Sequence, residues 1–303
     1  MEHSDVTKMA ERLGFARVYY TKPMRFNFDP ENEYNLVMDA VSAYPFAASI
    51  AVLVYPYEPF RSSTRIPSYY PASNHAYHSI KGLIELLEEN GIHAEKANIP
   101  VKPQLLSSGI GIQCRNSLVS IPPFGTRMVL LALAIDSLEP LEYNEPDVPC
   151  SEICGNIGAC SQACPVQAIG EKGILRGKCM RAEMDSAIHP DHVKKHMCTY
   201  IGCEICQYAC PRNSGLGGKE PPQELKSAFD TSKLISGDTA EARKLVGKNM
   251  TSNGKLTAEA IAMAAVNEPN FFEKYEQELA EAESSQFPSV HDALRFANEI
   301  RKN

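Results

Sequence analysis

Nine of the ten cysteines in this 303-residue chain lie between Cys150 and Cys210, and their spacing is that of iron–sulfur ligands. One run reads Cys154-GNIGA-Cys160-SQA-Cys164-Pro165, and a second reads Cys203-EI-Cys206-QYA-Cys210-Pro211. Both close on Cys-x3-Cys-Pro, the end of the bacterial ferredoxin run Cys-x2-Cys-x2-Cys-x3-Cys-Pro that holds a [4Fe–4S] cube. Two-residue spacers let neighbouring thiolates wrap one cube. The three-residue step and the proline then turn the last cysteine toward another cluster, so two such endings imply two clusters sharing ligands crosswise.

Other cysteine chemistries fit less well. Disulfide frameworks belong to short secreted chains. A zinc site favours two Cys-x2-Cys pairs, and only Cys203 and Cys206 form one. His189, His192 and His196 lie close to one helical face and could bind a metal, although a solvated helix between cluster ligands explains them more simply.

These cysteines need elements to position them. With 44% hydrophobic residues the chain can build a core domain and a smaller module. Its charged start offers no signal core and no twin arginine, and its longest apolar run, Met128–Ile135, is too short to span a bilayer. A cytoplasmic protein is expected, in a compartment where clusters persist. The net charge of −7 argues against a broad nucleic-acid surface.

Periodicity and breakers predict a helix over 4–13, strands over 16–20, 49–55, 118–121 and 128–135, a loop over 61–74 and a helix over 75–90. Residues 1–149 read as an α+β layer domain, 150–215 as the cluster module, and 216–303 as a helical C-terminal region packing on the core. In that last region helices are expected over 257–266, 269–283 and 290–300, the last opened by a Ser289-x2-Asp292 capping box. Residues 268–303 carry eight acidic against four basic residues, read as a solvated face.

The stretch from Ser108 to Asp136 resembles the AGLGWIGKN…P-x-FGS-x-V-x-L-G-x-I hallmark of epoxyqueuosine reductases, a family that shares a corrinoid-binding core with reductive dehalogenases. Gly109, Gly111, Asn116, Pro122 or Pro123, Phe124 and Gly125 carry the match. Tyr77-His78 is similar to the family's Asp-Tyr-His segment, and SIAVLVYPY to its first core strand. The run from Gly202 to Asn213 is similar to its GC-x2-CQ-x3-CP-x-N. The likeness covers about residues 1–215. It implies a nitroreductase-like α+β core holding base-off cobalamin, fed single electrons by a ferredoxin-like module with two [4Fe–4S] clusters. Gly109 and Gly111 would let the backbone approach the corrin face, with Asn116, Phe124 and Gly125 nearby.

On the same resemblance, cluster one would take Cys150, Cys154, Cys160 and Cys210, and cluster two Cys164, Cys179, Cys203 and Cys206. Cys150 substitutes for the family ligand that falls on Ile157, and Cys198 is an alternative ligand. Ile112 stands where the family has tryptophan, and Cys114, read as buried and inert, where it has glycine. No aspartate precedes Gly109 in the place of the family's catalytic carboxylate, which leaves Glu95 and Tyr77 as weak proton-donor candidates.

Two readings follow. One is a cobalamin-dependent reductase served by a low-potential donor such as ferredoxin or flavodoxin, with a tRNA substrate. The other is an electron-transfer or corrinoid-reducing protein on the same scaffold without the tRNA chemistry. A reductive dehalogenase would normally carry a twin-arginine leader.

Overall fold

The computed structural model of the protein describes residues 1–26, 39–61, 64–144, 152–153 and 158–302. Contacts group the chain into two compact units, Met1–Tyr57 with Ala72–Ile153, and Glu58–Pro71 with Cys154–Asn303. Where the sequence reading drew three segments, the cluster module and the C-terminal helices thus fall in one unit, together with a short segment from far upstream.

The first unit is built on a four-stranded antiparallel sheet. It contains α1 (His3–Arg12), β1 (Arg17–Thr21), α2 (Ala40–Ala43), β2 (Ser49–Pro56), most of α3 (Tyr69–Glu89), β3 (Ala94–Lys96), α4 (Val101–Ser107), β4 (Ile112–Gln113), β5 (Val119–Ser120) and β6 (Met128–Ile135). Sheet order is β1-β2-β6-β3. The apolar runs of β2 and β6 take the two central places, Ser49 opposite Ile135 through Pro56 opposite Met128. A central strand needs apolar side chains on both faces, which is why neither run alternates. β4 and β5 form a separate hairpin, and Ile110, Val119 and Ile121 pack from it into the same core as Ile50, Val52 and Val54.

The expected loop over 61–74 is corrected by α3, which begins at Tyr69. Pro71 reads as a helix breaker, but it lies in the first turn, where the backbone N–H has no intrahelical acceptor to lose.

Among its described residues the second unit is helical apart from one small hairpin and an isolated Phe60–Lys219 bridge. Its elements are α5 (Ala159–Ala163), the paired β7 (Ile169–Gly170) and β8 (Gly173–Ile174), α6 (Met180–Glu183), α7 (Asp191–His196) and α8 (Ile205–Tyr208). Then come α9 (Gln223–Ala228), α10 (Thr231–Ser236), α11 (Ala240–Val246), α12 (Lys255–Asn267), α13 (Phe271–Lys274), α14 (Glu276–Glu283) and α15 (Pro288–Lys302). α12 is buried along most of its length, and α15 packs on it. One apolar core joins Phe60, Ile66 and Tyr70 to Tyr200, Ile201, Ile261 and Val290.

Two further expectations are corrected here. The single helix over 269–283 is two, because Tyr275 leaves helical geometry while its hydroxyl donates to Glu268 at 2.7 Å. Ser289 does not cap α15; it is buried inside the first turn and donates to the Asn253 carbonyl at 2.6 Å. Asp292 is taken up by Lys194 and Arg295. The short helices α9 to α11 were missed, although Asp230 accepting from Lys233 N–H and left-handed Gly237 are ordinary start and stop signals around α10. No helix among the described residues is long and apolar enough to cross a membrane.

Candidate functional site

In the second unit the short helices set out the cysteines. Cys160 is buried on α5, and Cys164 closes that helix. Cys179 stands at the start of α6, Cys203 just before α8, Cys206 within α8, and buried Cys210 at the turn where Pro211 begins a 3₁₀ segment. Helix α5 packs against α8, so the helices of the two runs are brought together. The Ala168 N–H donates to Cys164 Sγ at 3.3 Å. An N–H aimed at sulfur stabilises the thiolate and is one means by which a protein tunes cluster potential. None of the eight described cysteines is in a disulfide. Cys150, Cys154 and Ile157 lie outside the described residues.

Cys198 is exposed but within hydrogen-bonding reach of Cys203. That bond pulls the Cys198 thiol down to about 7, while the same bond and burial push Cys203 up. Among the described residues no three His, Cys, Asp or Glu side chains converge tightly enough for a single metal ion. The expected histidine face is corrected: α7 begins only at Asp191, after Pro190, so His189 lies outside it and turns to Glu259 at 2.9 Å. His196 Nδ1 meets the His192 carbonyl at 2.7 Å.

In the first unit the family-matched residues gather on one stretch. Gly109 follows α4 with φ +73°, and Gly111 leads into β4 with φ +67°. A side chain at Gly111 would place its Cβ 2.6 Å from the Ser120 carbonyl and 2.9 Å from Ile121, both in the chain's own hairpin. Close approach of the backbone to itself therefore accounts for this glycine. At Gly109 a Cβ would meet the Tyr143 carbonyl at 3.0 Å. Asn116 is buried in the β4–β5 turn: its Oδ1 accepts from Leu118 N–H at 3.3 Å, and its Nδ2 has no partner among the described residues. Phe124 and Gly125 form the turn after a cis Pro122–Pro123 bond, and Ile121 N–H donates to the Gly125 carbonyl at 3.0 Å. Cys114 is buried.

The two proton-donor candidates lie on different elements, Tyr77 on α3 and Glu95 on β3. Tyr77 is exposed on α3, with Lys81 Nζ 4.4 Å and Lys96 Nζ 4.8 Å from its ring centre. Lys96 and Glu95 are neighbours on β3, and successive strand residues point to opposite faces. Glu95 thus faces away from Tyr77, toward His93 at 3.2 Å.

The residues present fit the groups that the resemblance implies unequally. Thiols at helix ends, with an N–H donor to one of them, suit iron–sulfur clusters. For a corrinoid, Asn116 offers a buried donor with no partner among the described residues.

No protein-family model matches the chain. The epoxyqueuosine reductase of Cyclobacterium marinum is 28% identical over 204 residues, 60% of this chain and 64% of that protein. That of Bacillus subtilis is 32% identical over 111 residues, 36% and 28% of the two. The chain therefore spans less than two thirds of these relatives' length. Among solved structures, epoxyqueuosine reductase from Streptococcus thermophilus superposes with a TM-score of 0.73 at 20% identity, over 99% of this chain and 90% of that one. An epoxyqueuosine reductase solved with an epoxyqueuosine-modified tRNA-Tyr stem loop gives 0.67 at 16% identity, over 99% and 98%. Sequence likeness and fold agree: the chain is similar in sequence to epoxyqueuosine reductases over about 60% of its length and shares their fold over nearly all of it.

Proposed function

We propose that the protein is an iron–sulfur oxidoreductase passing single low-potential electrons through two [4Fe–4S] clusters to a cobalamin. The observation that carries it is the set of cysteines on short helices, with α5, which carries Cys160 and ends at Cys164, packed against α8, which carries Cys206, and an N–H donated to Cys164. Cys160 and Cys210 serve cluster one with Cys150 and Cys154. Cys164, Cys179, Cys203 and Cys206 serve cluster two. Bound cobalamin would supply a strong reductant or nucleophile at a single metal centre. Asn116, with Gly109, Gly111, Phe124 and Gly125 shaping its stretch of chain, would bind and orient it. A ferredoxin or flavodoxin would supply electrons, and a tRNA substrate rests on the family alone.

The second reading, an electron carrier or corrinoid reductase without tRNA chemistry, is favoured by one observation. The segment from β3 through α4 holds Glu95 as its only carboxylate, and Glu95 is engaged with His93 on an exposed strand. A general acid must reach the reacting group, and a carboxylate turned to a surface histidine is poorly placed to do so.

The test is an absorption spectrum of anaerobically purified protein before and after adding cobalamin. Two clusters predict about eight iron and eight sulfide per chain, and base-off binding predicts a blue-shifted visible band. Iron without any cobalamin shift would leave the electron carrier. Protein that takes up no iron would sink both readings.

A further inference from the structure

Glu259 is a carboxylate in the most deeply buried helix of the second unit, with no exposed surface. A buried charge is costly unless its lone pairs are filled, and both oxygens here have partners. Oε1 meets His189 Nε2 at 2.9 Å, and Oε2 accepts the Ile201 N–H at 2.5 Å. An ionised carboxylate only accepts, and the His189 tautomer that matches it is the one with its proton on Nε2. Its other nitrogen, Nδ1, is buried and has no partner among the described residues. Lys255, one turn earlier on α12, is likewise buried and supplies the nearby positive charge.

Ile201 is a strained residue. It is β-branched, fully buried, and holds φ +48°, a left-handed conformation that β-branched side chains rarely adopt. Such a conformation persists only when its surroundings over-determine it. Tyr200 N–H donates to the Arg65 carbonyl at 2.8 Å, and Thr199 Oγ1 donates to the Gly202 carbonyl at 2.6 Å. The Tyr70 ring lies where a side chain on Gly202 would go, and Glu204 accepts from Ser68 N–H at 3.0 Å. The strained turn leads directly into Cys203.

We infer that Glu259, oriented by His189, is a positioning residue for the iron–sulfur site: it holds the Ile201 turn so that Cys203 and Cys206 present their thiolates together. It rests on the reading of those cysteines as cluster-two ligands. It also gives the C-terminal helices a task that the cysteine pattern alone does not reveal.

The experiment compares the full-length parent with E259A, E259Q and E259D after anaerobic reconstitution. Iron content, the electron paramagnetic resonance of the reduced protein, and amide exchange at residues 200–204 of iron-free protein are read. In E259A the Ile201 amide should exchange at least tenfold faster, iron should fall by about half, and one cluster signal should vanish. E259Q keeps an acceptor oxygen and should restore both clusters. E259D keeps the charge but falls one carbon short, so it should lose the same cluster as E259A while remaining folded. Should E259A fail to fold, E259D decides. E259D or a folded E259A with parent-like iron and parent-like exchange would overturn the inference. So would E259Q losing the cluster while its Ile201 amide stays protected. A parent that binds no iron overturns the iron–sulfur reading instead, and the exchange data still report whether Glu259 holds the turn.

Discussion

Arg65 and Glu268, 203 positions apart in the chain, meet at 2.6 Å and join the early segment of the second unit to its C-terminal helices. Burial alone would raise the Glu268 carboxyl, but bonds from Lys274, Tyr275 and Arg65 overcome it and hold it down to about 2. Its ordinary value is 4.5. A depressed acid stabilises the fold fully above its unfolded value and loses that contribution as pH falls toward the folded one. Stability of the second unit should therefore decline from about pH 4.5 to 2, by at most about 3 kcal/mol from this group. Glu268→Gln should cost about 1–3 kcal/mol at neutral pH and converge with the parent near pH 2. Urea unfolding across that range checks it; a constant difference between the two proteins would refute the assignment.

Cys164→Ala should remove the cluster that Cys203 and Cys206 hold, and Cys210→Ala the other one, because each closing cysteine crosses over. Each variant should keep about four of about eight irons. Iron analysis with paramagnetic resonance distinguishes them. Loss of the Cys203–Cys206 cluster in Cys210→Ala, with the other spared, would reverse the assignment.

Gly111→Ala should destabilise the first unit by at least about 2 kcal/mol, since the new Cβ meets a carbonyl of the chain itself in a left-handed conformation. Gly177, where an added Cβ would have no neighbour within 4 Å, should tolerate alanine within about 0.5 kcal/mol. Thermal melts of the two variants make the comparison. A bulky side chain at Gly111 that lowers cobalamin binding would thus report unfolding rather than a blocked corrin face.

Tyr77→Phe should leave stability unchanged within about 0.5 kcal/mol, because the ring that Lys81 and Lys96 face is retained. Tyr77→Ala should cost about 0.5–1 kcal/mol. If Tyr77 were the proton donor, the phenylalanine variant would instead lose about 10²–10⁴-fold in turnover of an assayed substrate.

The legible parts of this molecule are those where one local signal decides the outcome. Met128–Ile135 is an unbroken apolar run ended by Asp136, and its strand has the expected bounds. The start of α3 was hidden because Pro71 stops a helix everywhere except its first turn. Ser289 and Asp292 have capping-box spacing, yet a carbonyl of residue 253 and the ammonium of Lys194 compete for them. The cluster reading rests on the spacing of the cysteines, which is a local signal. Glu259 had no such signal: its partners, His189 and Ile201, lie 70 and 58 positions away.

The passage of the chain from Tyr57 into the second unit at Glu58, and back into the first at Ala72, has a consequence for how this architecture can be inherited. Phe60, Ile66 and Tyr70 belong to the second unit's core, and Lys219 N–H donates to the Pro59 carbonyl at 2.9 Å. A chain ended at residue 153 would leave those three side chains without cover. A chain begun at residue 154 would lack them altogether. Inherited as one contiguous segment, the cysteine-bearing part would therefore leave a piece of its own core behind.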